Sequence, residues 1–474
     1  GPTHYTVTDL STNATTGLRG VLGYWDDSGA ARVAGSAVAG DTVTLALGGT
    51  QDLGATDNIL YPAAGVTIIG PGASSLTIIG RLFSLGTGGV SVVSRLEGWT
   101  LAPTGLASIH TLGLGGGDAS VCGVQDVSLV YKDWRCYDSA PASSSNNLFT
   151  NWSESGDPTI CLRCDSEFEG AGADAYSTKG DGLRTARDLG IGNLYKEWGS
   201  GTNNNGATAH DAWEMFGWGN QYRRSSAAGI PLSHASNAGT TYEANADIEG
   251  GTVQGVGTLI NSRVNLQDSA ILNAGSILTL CQGVKFLGAE GKHLNTIAGA
   301  QLTDVAFTDY NGGGGGYPAI QTIGTPSGAI NLLRCVFDGY RGLDTRGGTG
   351  DGSIVDSIFK TTSFTALKDG GTYTTSGNQV SAAGHNIPFT GTGDVIGAVS
   401  QGTVDDAIAV IDAMFNTAAQ PDPNRLASAI LAGNGAAILA MTPGEIAYQF
   451  APISGLHRVN LRGLRGRPRP SLVA

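Results

Sequence analysis

The chain has 474 residues, of which 74 are glycine and only 14% are charged. This length is roughly three times that of a usual domain, and the composition disfavours long charged helices, so we expect several domains or one repetitive solenoid. The net charge of −13 excludes a body that binds DNA or RNA phosphates. No run of about 18 apolar residues occurs, which predicts that no helix spans a membrane.

The N-terminal region predicts a strand followed by a short helix. Residues 5–10 have the composition of a strand, and residues 16–22 place Leu18, Val21 and Leu22 on one helical face. This order resembles the N-terminal cap of secreted and phage-borne parallel β-helices. The resemblance implies that the helix closes the first coil, which has no coil stacked above it.

Short β-rich runs between turns continue to about residue 400. Val66-Thr-Ile-Ile-Gly70 is echoed ten residues later by Leu76-Thr-Ile-Ile-Gly80, as two consecutive faces of one coil would be. Four later runs have central apolar residues 21, 31 and 22 positions apart, at Val284, Val305, Val336 and Ile358. Periods of about 20 to 31 residues without helices indicate β-helix coils that carry loop insertions.

The sequence therefore predicts an all-β protein, a single-stranded right-handed parallel β-helix over residues 49–400 with an N-terminal helical cap in residues 1–48. A β-sandwich, which needs a hairpin turn about every 8 to 12 residues, is the alternative. Cys161-Leu-Arg-Cys164 has no second cysteine pair, and residues three apart in a strand face opposite sides. We expect core cysteines there rather than a zinc site.

Residues 401–474 predict a small helical C-terminal extension and a basic tail. Thr403-Val-Asp-Asp406 fits a capping box, an Ala-rich helix follows around residues 425–431, and Thr442-Pro-Gly-Glu445 predicts a third helix start. Met441 to Ala447 is similar to a pattern near the ends of phage and prophage tail proteins. The tail arginines are Arg458, Arg462, Arg465, Arg467 and Arg469. We expect the tail to dock on an acidic partner or a neighbouring subunit.

Polar and ionisable side chains replace the aliphatic pattern between residues 165 and 242. Lys179 and His210 are 31 residues apart and His210 and His234 are 24 apart, so each interval is a candidate coil. Matching positions of successive coils lie about 4.8 Å apart. We therefore expect these three side chains to form a ladder, with Asp174, Asp181 and Asp211 beside it.

This cluster fits two reaction types, and both stay open. In a polysaccharide lyase, Lys179 or His210 would remove the proton beside a uronate carboxylate, which a cation or an arginine would neutralise. In a glycoside hydrolase, two carboxylates from Asp174, Asp181 and Asp211 would serve as acid and as base or nucleophile. The substrate-binding candidates, cations or stacking rings, are Arg184, Arg187, Trp213, Trp218, Tyr222, Arg223 and Arg224.

One short segment carries a family resemblance. Asp174-Ala-Tyr-Ser-Thr-Lys179 resembles the acidic-x-x-Ser-x-Lys segment of β-helical alginate and chondroitin lyases. That resemblance implies that Lys179 is the base and that Asp174 helps to hold Ca²⁺. The stretch that ends at His210-Asp211 is similar to one that recurs in bacterial and phage β-helix proteins of unassigned reaction.

Three functions remain open, and all of them place the protein outside a cytoplasm. The first is a tailspike- or fibre-like protein on a virion or cell surface that recognises a polysaccharide and, as a further activity, depolymerises it. The second is a free secreted polysaccharide lyase or glycoside hydrolase. The third is a structural protein attached through its helical extension and arginine tail. Analogy with phage β-helices implies a homotrimer.

Overall fold

The computed structural model describes residues 1–83, 92–102, 112–113, 128–137, 160–169, 183–196, 210–223, 232–233, 240–249, 253–254, 257–265, 280–287, 294–296, 299–310, 318–322, 329–346, 350–382 and 384–453. Within them a sheet of 29 strands pairs each coil with the next. The pairing between coils is parallel throughout this sheet. The parallel β-helix is thereby confirmed, and the sandwich, which needs antiparallel hairpins, is wrong.

The first third of the chain contains twelve described strands. They are β1 (His4–Val7), β2 (Gly23–Asp26), β3 (Ala31–Ala34), β4 (Thr42–Leu45), β5 (Gly49–Asp52), β6 (Ile59–Leu60), β7 (Thr67–Ile69), β8 (Leu76–Ile79), β9 (Arg81–Phe83), β10 (Val93–Ala102), β11 (Leu112–Gly113) and β12 (Ser128–Tyr137).

The middle coils contain the next described strands. They are β13 (Ile160–Cys164), β14 (Glu167–Glu169), β15 (Leu183–Ile191), β16 (Leu194–Lys196), β17 (His210–Trp218), β18 (Gln221–Arg223), β19 (Leu232–Ser233), β20 (Thr240–Ala244), β21 (Asp247–Glu249), β22 (Val253–Gln254), β23 (Thr258–Ile260) and β24 (Arg263–Asn265).

The last coils contain the remaining described strands. They are β25 (Leu280–Leu287), β26 (Leu294–Thr296), β27 (Ala300–Tyr310), β28 (Ile320–Thr322), β29 (Ile330–Leu333), β30 (Val336–Asp344), β31 (Gly352–Val355), β32 (Ile358–Leu367), β33 (Tyr373–Ser376), β34 (Gln379–Val380), β35 (Gly384–His385) and β36 (Val395–Ile396).

Each middle coil has two faces that meet at a sharp corner. β13, β15, β17 and β20 pair in sequence as the first face, and β14, β16, β18 and β21 pair as the second face. Longer strands such as β12 and β25 pass through the corner and belong to both faces. Toward the end of the stack, β26, β28 and the second half of β30 form a third face.

The corner is made by one residue in the left-handed backbone region in each coil. Asp165, Asn245, Asn261 and Asp356 take φ angles of 47°, 56°, 45° and 50° there, and glycines take the same place in other coils. Asp, Asn and Gly tolerate this region better than other residue types. Arg334 is the exception, with φ of 51°.

A polar ladder runs along the inside of the corner. The backbone N–H of Ser166 donates to Asn193 Oδ1 at 3.0 Å, and that of Asn193 donates to Asn220 Oδ1 at 3.1 Å. Farther along, Ser357 N donates to Asn378 Oδ1 at 2.8 Å. These buried amides hold the corners of successive coils in register, because a buried N–H without a partner is costly.

Inward side chains stack in columns through the core. On the second face, the Phe168, Tyr195 and Tyr222 rings stack at centroid distances of 5.6 and 5.1 Å. Farther along the same column, Phe286, Phe307, Phe337 and Phe359 stack at 5.1, 5.1 and 4.4 Å. The core is therefore aromatic on this face, although aromatic residues are only 7% of the chain.

The N-terminal cap has the predicted form. Helix α1 spans Leu18–Leu22, and its Leu18, Val21 and Leu22 side chains are buried against the first coils. The helical prediction for this segment is confirmed.

The apolar repeats follow the register of the coils except at one step. The two Ile-Ile runs are β7 and β8, which both pair with β10 and so are consecutive faces of one coil, as predicted. Val284 pairs with Val305, and Val336 with Ile358. The predicted step from Val305 to Val336 is wrong, because Ala306 pairs with Val336. Val305 follows the corner and points inward, whereas Val336 points outward.

The five described cysteines are buried and free of disulfide bonds, as expected for core residues. Cys161 belongs to the interior cluster and Cys164 to the cluster outside the first face. The two residues of the CxxC motif thus face opposite sides of β13, as predicted, and the described part of the chain supplies no group of three or more metal ligands.

A helical segment follows the last coil and packs back along the outside of the stack. It contains α2 (Gln401–Asp412), α3 (Pro423–Ala429), a π-helical stretch (Ile430–Asn434), α4 (Gly435–Leu439) and α5 (Pro443–Gln449). Helix α2 buries Val404 and Ile411 against Ala306 and Val336 of the second face. None of the helices that the structure describes has the length and apolar character needed to cross a bilayer.

Helices α3 to α5 cover the outside of the first face. Leu426, Ile430 and Ile446 pack there with Leu162 and Leu189 of the coils. The predicted extension is therefore helical, but its apolar faces are taken up by coils of its own chain.

The helix starts were predicted with mixed success. The capping box of Thr442 and Glu445 is present, with Pro443 in the first turn. The box predicted at Thr403 is wrong, because the Ser400 side chain accepts the Thr403 N–H and α2 begins at Gln401.

Candidate functional site

The outward side chains of the second face are charged from β12 to β25. Each second-face strand has a triplet whose central residue points inward and whose flanking residues point outward. The flanking residues are mostly polar, and Leu194 and Leu287 are the apolar exceptions. We call this surface the charged face; its charged members are Arg135, Glu167, Glu169, Lys196, Arg223, Asp247, Glu249, Arg263 and Lys285. Beyond β25 one of the two outward columns becomes apolar, at Ala306, Val336 and Ile358, and lies under α2. The other column continues with the polar residues Thr308, Asp338 and Lys360.

The first cluster on the charged face surrounds Lys196. Its ammonium hydrogen-bonds to Glu167 and lies 3.8 Å from Glu169 Oε2, while Arg135 Nε lies 3.8 Å from Glu167 Oε2. The hydrogen bond to Glu167 raises the pKa of Lys196 above its ordinary 10.5. Burial and then Glu167 raise the pKa of the neighbouring Tyr137. Both groups therefore stay protonated at neutral pH, and neither is suited to act as a base.

The second cluster surrounds Arg223. Its Nη2 donates to Asp247 Oδ2 at 2.7 Å and its Nη1 to the Asp247 carbonyl at 2.8 Å, while Nε lies 3.4 Å from Glu249 Oε2. Lys196 and Arg223 occupy neighbouring positions in register, yet each turns to a pair of acids on its own side. The ion pairs hold these long side chains in fixed positions along the face.

A groove lies where the charged face meets the end of α2. Its volume is about 380 Å³, and its lining residues are Asp247, Glu249, Arg263, Val264, Asn265, Lys285, Leu287 and Asp412. Lys285 Nζ donates to Asp412 Oδ2 at 2.9 Å. The end of α2 thus forms one wall of the groove, and strands β21, β24 and β25 form its floor.

The charged face can hydrogen-bond a polar ligand along several coils. It presents carboxylates as acceptors and ammonium and guanidinium groups as donors, at the spacing of about 4.8 Å that separates paired strands. Since the ion pairs fix these groups beforehand, a ligand would not have to order them.

Five of the residues predicted for the site lie outside the described residues. They are Lys179, Asp181, Asp174, His234 and Arg224. The Ca²⁺ expectation rests on Asp174 and lies outside them as well.

The structure places the backbone of five further candidates on the first face. Register pairs Arg184 with Asp211 and Arg187 with Glu214, and it pairs His210 with Leu183. Trp213 lies in the same strand as His210. Arg184 and Asp211 are therefore neighbours on adjacent strands, which the sequence analysis did not foresee.

The predicted ladder of Lys179, His210 and His234 used the wrong coil lengths. The register partner of His210 is Leu183, 27 positions earlier, rather than Lys179. The next coil takes 26 residues, because Glu214 pairs with Thr240. Intervals of 31 and 24 residues are therefore not coils of this part of the stack.

Two predicted sugar-stacking rings are core residues. Trp218 is fully buried beneath the helical segment, and Tyr222 is fully buried inside the coil, where its hydroxyl donates to Glu243 Oε1 at 2.7 Å. A buried ring cannot stack on a sugar, so this expectation is wrong for both. Arg223, by contrast, lies on the charged face as a cation of its second cluster.

Most of the charged face was not predicted from the sequence. The signal was present as repeated triplets directly after each corner, such as Glu167-Phe-Glu169, Leu194-Tyr-Lys196, Gln221-Tyr-Arg223 and Asp247-Ile-Glu249. Their alternation of outward polar and inward apolar residues is that of a half-exposed strand.

Comparisons with known proteins add little to this description. No protein-family model and no curated protein was found to match the chain. Among solved structures, a mannuronic acid specific polysaccharide family 6 lyase from human gut microbiota superposes with a TM-score of 0.41 at 11% identity, over 93% of this chain and 100% of that one. At these values the likeness says nothing about what this protein binds.

Proposed function

We propose that this protein recognises a polysaccharide along its charged face. The observation that carries the proposal is the continuous, register-aligned row of paired charges from β12 to β25, which ends in an open groove. An extended polymer with many hydroxyl groups matches such a surface, because each coil offers donors and acceptors at a regular spacing.

The proposal also includes where the protein works and the particle or cell that carries it. We place the protein outside the cytoplasm, as a tailspike- or fibre-like component of a virion or cell surface, with a free secreted enzyme as the alternative. The resemblances of the N-terminal cap and of residues 441–447 support the first form.

Binding is tested with a panel of neutral and acidic polysaccharides by affinity electrophoresis. We expect at least one of them to retard the protein, and the double variant Lys196→Gln/Arg223→Gln to weaken that retardation about tenfold, because both clusters lose their cation. Arg346→Gln is the matched control, since Arg346 is half-exposed but pairs with Asp344 away from the charged face. Equal binding by the double variant and the control would contradict the proposed surface.

Depolymerisation is a second candidate activity, supported by the lyase resemblance of the segment from Asp174 to Lys179 and by the register that pairs Arg184 with Asp211, next to His210. It is tested by following unsaturated products by absorbance, and reducing ends, on the same panel. We expect Lys179→Ala or His210→Ala to abolish any observed cleavage. Full cleavage by both variants would exclude this cluster and direct the search to Glu167 and Glu169.

The assembly role now concerns the tail rather than the helices, whose apolar faces pack on the coils. We propose that the tail arginines dock on an acidic partner or a neighbouring subunit of a homotrimer. Light scattering of the chain with and without residues 454–474 tests the second form. An unchanged mass would exclude a tail-dependent homo-oligomer.

A further inference from the structure

Arg263 is more weakly neutralised than Lys196, Arg223 and Lys285 on the charged face. Its Nε lies 4.0 Å from Asp412 Oδ1, and its guanidinium donates no hydrogen bond to another described residue. Arg223 and Lys196, by comparison, donate directly to carboxylates. A cation without a close carboxylate is the natural contact for an anionic ligand.

The position of Arg263 is nevertheless fixed. The centre of its guanidinium lies 4.0 Å from the centroid of the Phe415 ring. Its side chain is 48% exposed and lines the groove. Stacking on an aromatic face orients the planar guanidinium and leaves its N–H edge available to a ligand.

Asp412 supplies the carboxylate that faces both groove cations. It bonds to Lys285 at 2.9 Å and stands near Arg263. Asp412 is the last residue of α2, where the negative end of the helix dipole disfavours an acidic side chain. The attraction of Arg263 and Lys285, and not the helix dipole, therefore explains why an acidic residue stands at this position.

We propose that Arg263 and Lys285 form a subsite for one acidic group of a glycan, and that Asp412 occupies this subsite until the ligand displaces it. This inference rests on the proposed recognition of a polysaccharide. It adds that the ligand is sparsely charged, with one acidic sugar among neutral ones.

The rest of the charged face explains why the ligand is sparsely charged. Glu167, Glu169, Asp247 and Glu249 lie on it, and the cations beside them are already paired with them. A polyuronate would place a carboxylate against these acids at nearly every coil, and the repulsion between like charges would weaken its binding. Neutral sugars meet no such penalty.

Three probes test the inference by isothermal titration calorimetry on the full chain. Dextran is neutral, polygalacturonate is densely charged, and deacylated gellan carries one glucuronate in each repeat of otherwise neutral sugars. We expect gellan to bind at least about tenfold more tightly than either of the others. Tightest binding of dextran or polygalacturonate would overturn the inference and leave the proposed function standing, whereas no binding by any probe would overturn both.

Variants locate the subsite. We expect Arg263→Gln to weaken gellan binding about tenfold with dextran unaffected, and Asp412→Asn to tighten gellan binding several-fold because the competing carboxylate is removed. Arg346→Gln, with a similarly exposed arginine, serves as the control for the loss of one positive charge. Unchanged gellan affinity in both Arg263→Gln and Asp412→Asn, with normal thermal unfolding, would exclude this groove as the subsite.

Discussion

At the scale of single residues, the packing inside the coils depends on where glycine leaves room for a neighbouring side chain. Gly217 pairs in register with the buried Glu243, and a Cβ added to Gly217 would lie 2.3 Å from both carboxylate oxygens. Glu243 cannot easily move aside, because Tyr222 donates to it at 2.7 Å. The glycine thus makes room for a polar group beside the aromatic column of the second face.

We expect Gly217→Ala to destabilise the protein by about 1–3 kcal/mol, since overpacking forces neighbouring groups out of place. The thermal midpoint measures the loss. In the background of Glu243→Ala, where the carboxylate is absent, the same glycine substitution should cost less than half as much. An equal cost in both backgrounds would show that the carboxylate is not what the new methyl group meets.

A second residue predicts how stability depends on pH. The buried Asp41 accepts hydrogen bonds from the backbone N–H groups of Val38 and Thr3, at 2.9 and 2.6 Å, and these bonds lower its pKa below the ordinary 3.8. A carboxyl group with a lowered pKa stabilises the fold above its ordinary pKa, and this contribution is lost as the pH falls through the lowered value.

We therefore expect Asp41→Asn to lower the thermal midpoint at pH 7, and the difference from the wild type to shrink as the pH falls below 3.8. The exposed Asp369→Asn serves as the control. A difference that stays constant down to pH 2 would contradict the role of the carboxylate charge.

At the scale of elements, the helical segment is held by burial on the coils together with contacts among its own short helices, such as the bond from Arg425 to the Ala451 carbonyl. Helices of five to twelve residues are marginal alone, so their order depends on the first and second faces beneath them. The prediction from sequence found three of the helix regions but not this docking. The bonds between Asn245 and Ala418 join residues 173 positions apart, and no local pattern encodes such a contact.

Ile430 tests this docking because it is fully buried among coil and helix residues. We expect Ile430→Ala to cost about 2–4 kcal/mol, the usual range for a buried large-to-small change. Val410→Ala, on the exposed side of α2, should stay within about 0.5 kcal/mol of the wild type. Equal losses for the two variants in urea unfolding would mean that the segment is not anchored through its buried face.

At the scale of the whole molecule, the β-helix could be predicted because its rule is repeated in every coil, whereas the site depends on coil lengths that vary. Register steps run from 16 residues between Tyr242 and Thr258 to 38 between His4 and Thr42. Such variation places Glu167 beside Lys196 and pairs His210 with Leu183. A shift of one residue at a corner also turned Val336 outward. Local residue types thus predict the fold. Which side chains lie together on the charged face depends on the length of every coil, which local residue types do not predict.

A stack of coils that contact only their neighbours should open from its ends. We expect hydrogen exchange to be slowest in β13 and β15, which lie under the helical segment, and fastest in β34 and β36, where Val395 and Ile396 are 60% and 49% exposed. Mass spectrometry of peptides after timed labelling measures this order. Uniform protection along the stack would indicate one cooperative unit instead.

The return of the helical segment to the middle coils sets an order of events during synthesis. Coils can form one after another as the chain leaves the ribosome, but the stripe made by Leu162, Leu189 and Trp218 stays bare until Leu426 and Ile446 have emerged. A chain that stops or is cleaved before then exposes this apolar stripe, and exposed apolar surface is what chaperones and proteases bind. The segment therefore distinguishes finished copies from unfinished ones, because only a finished copy covers this apolar stripe with its own helices.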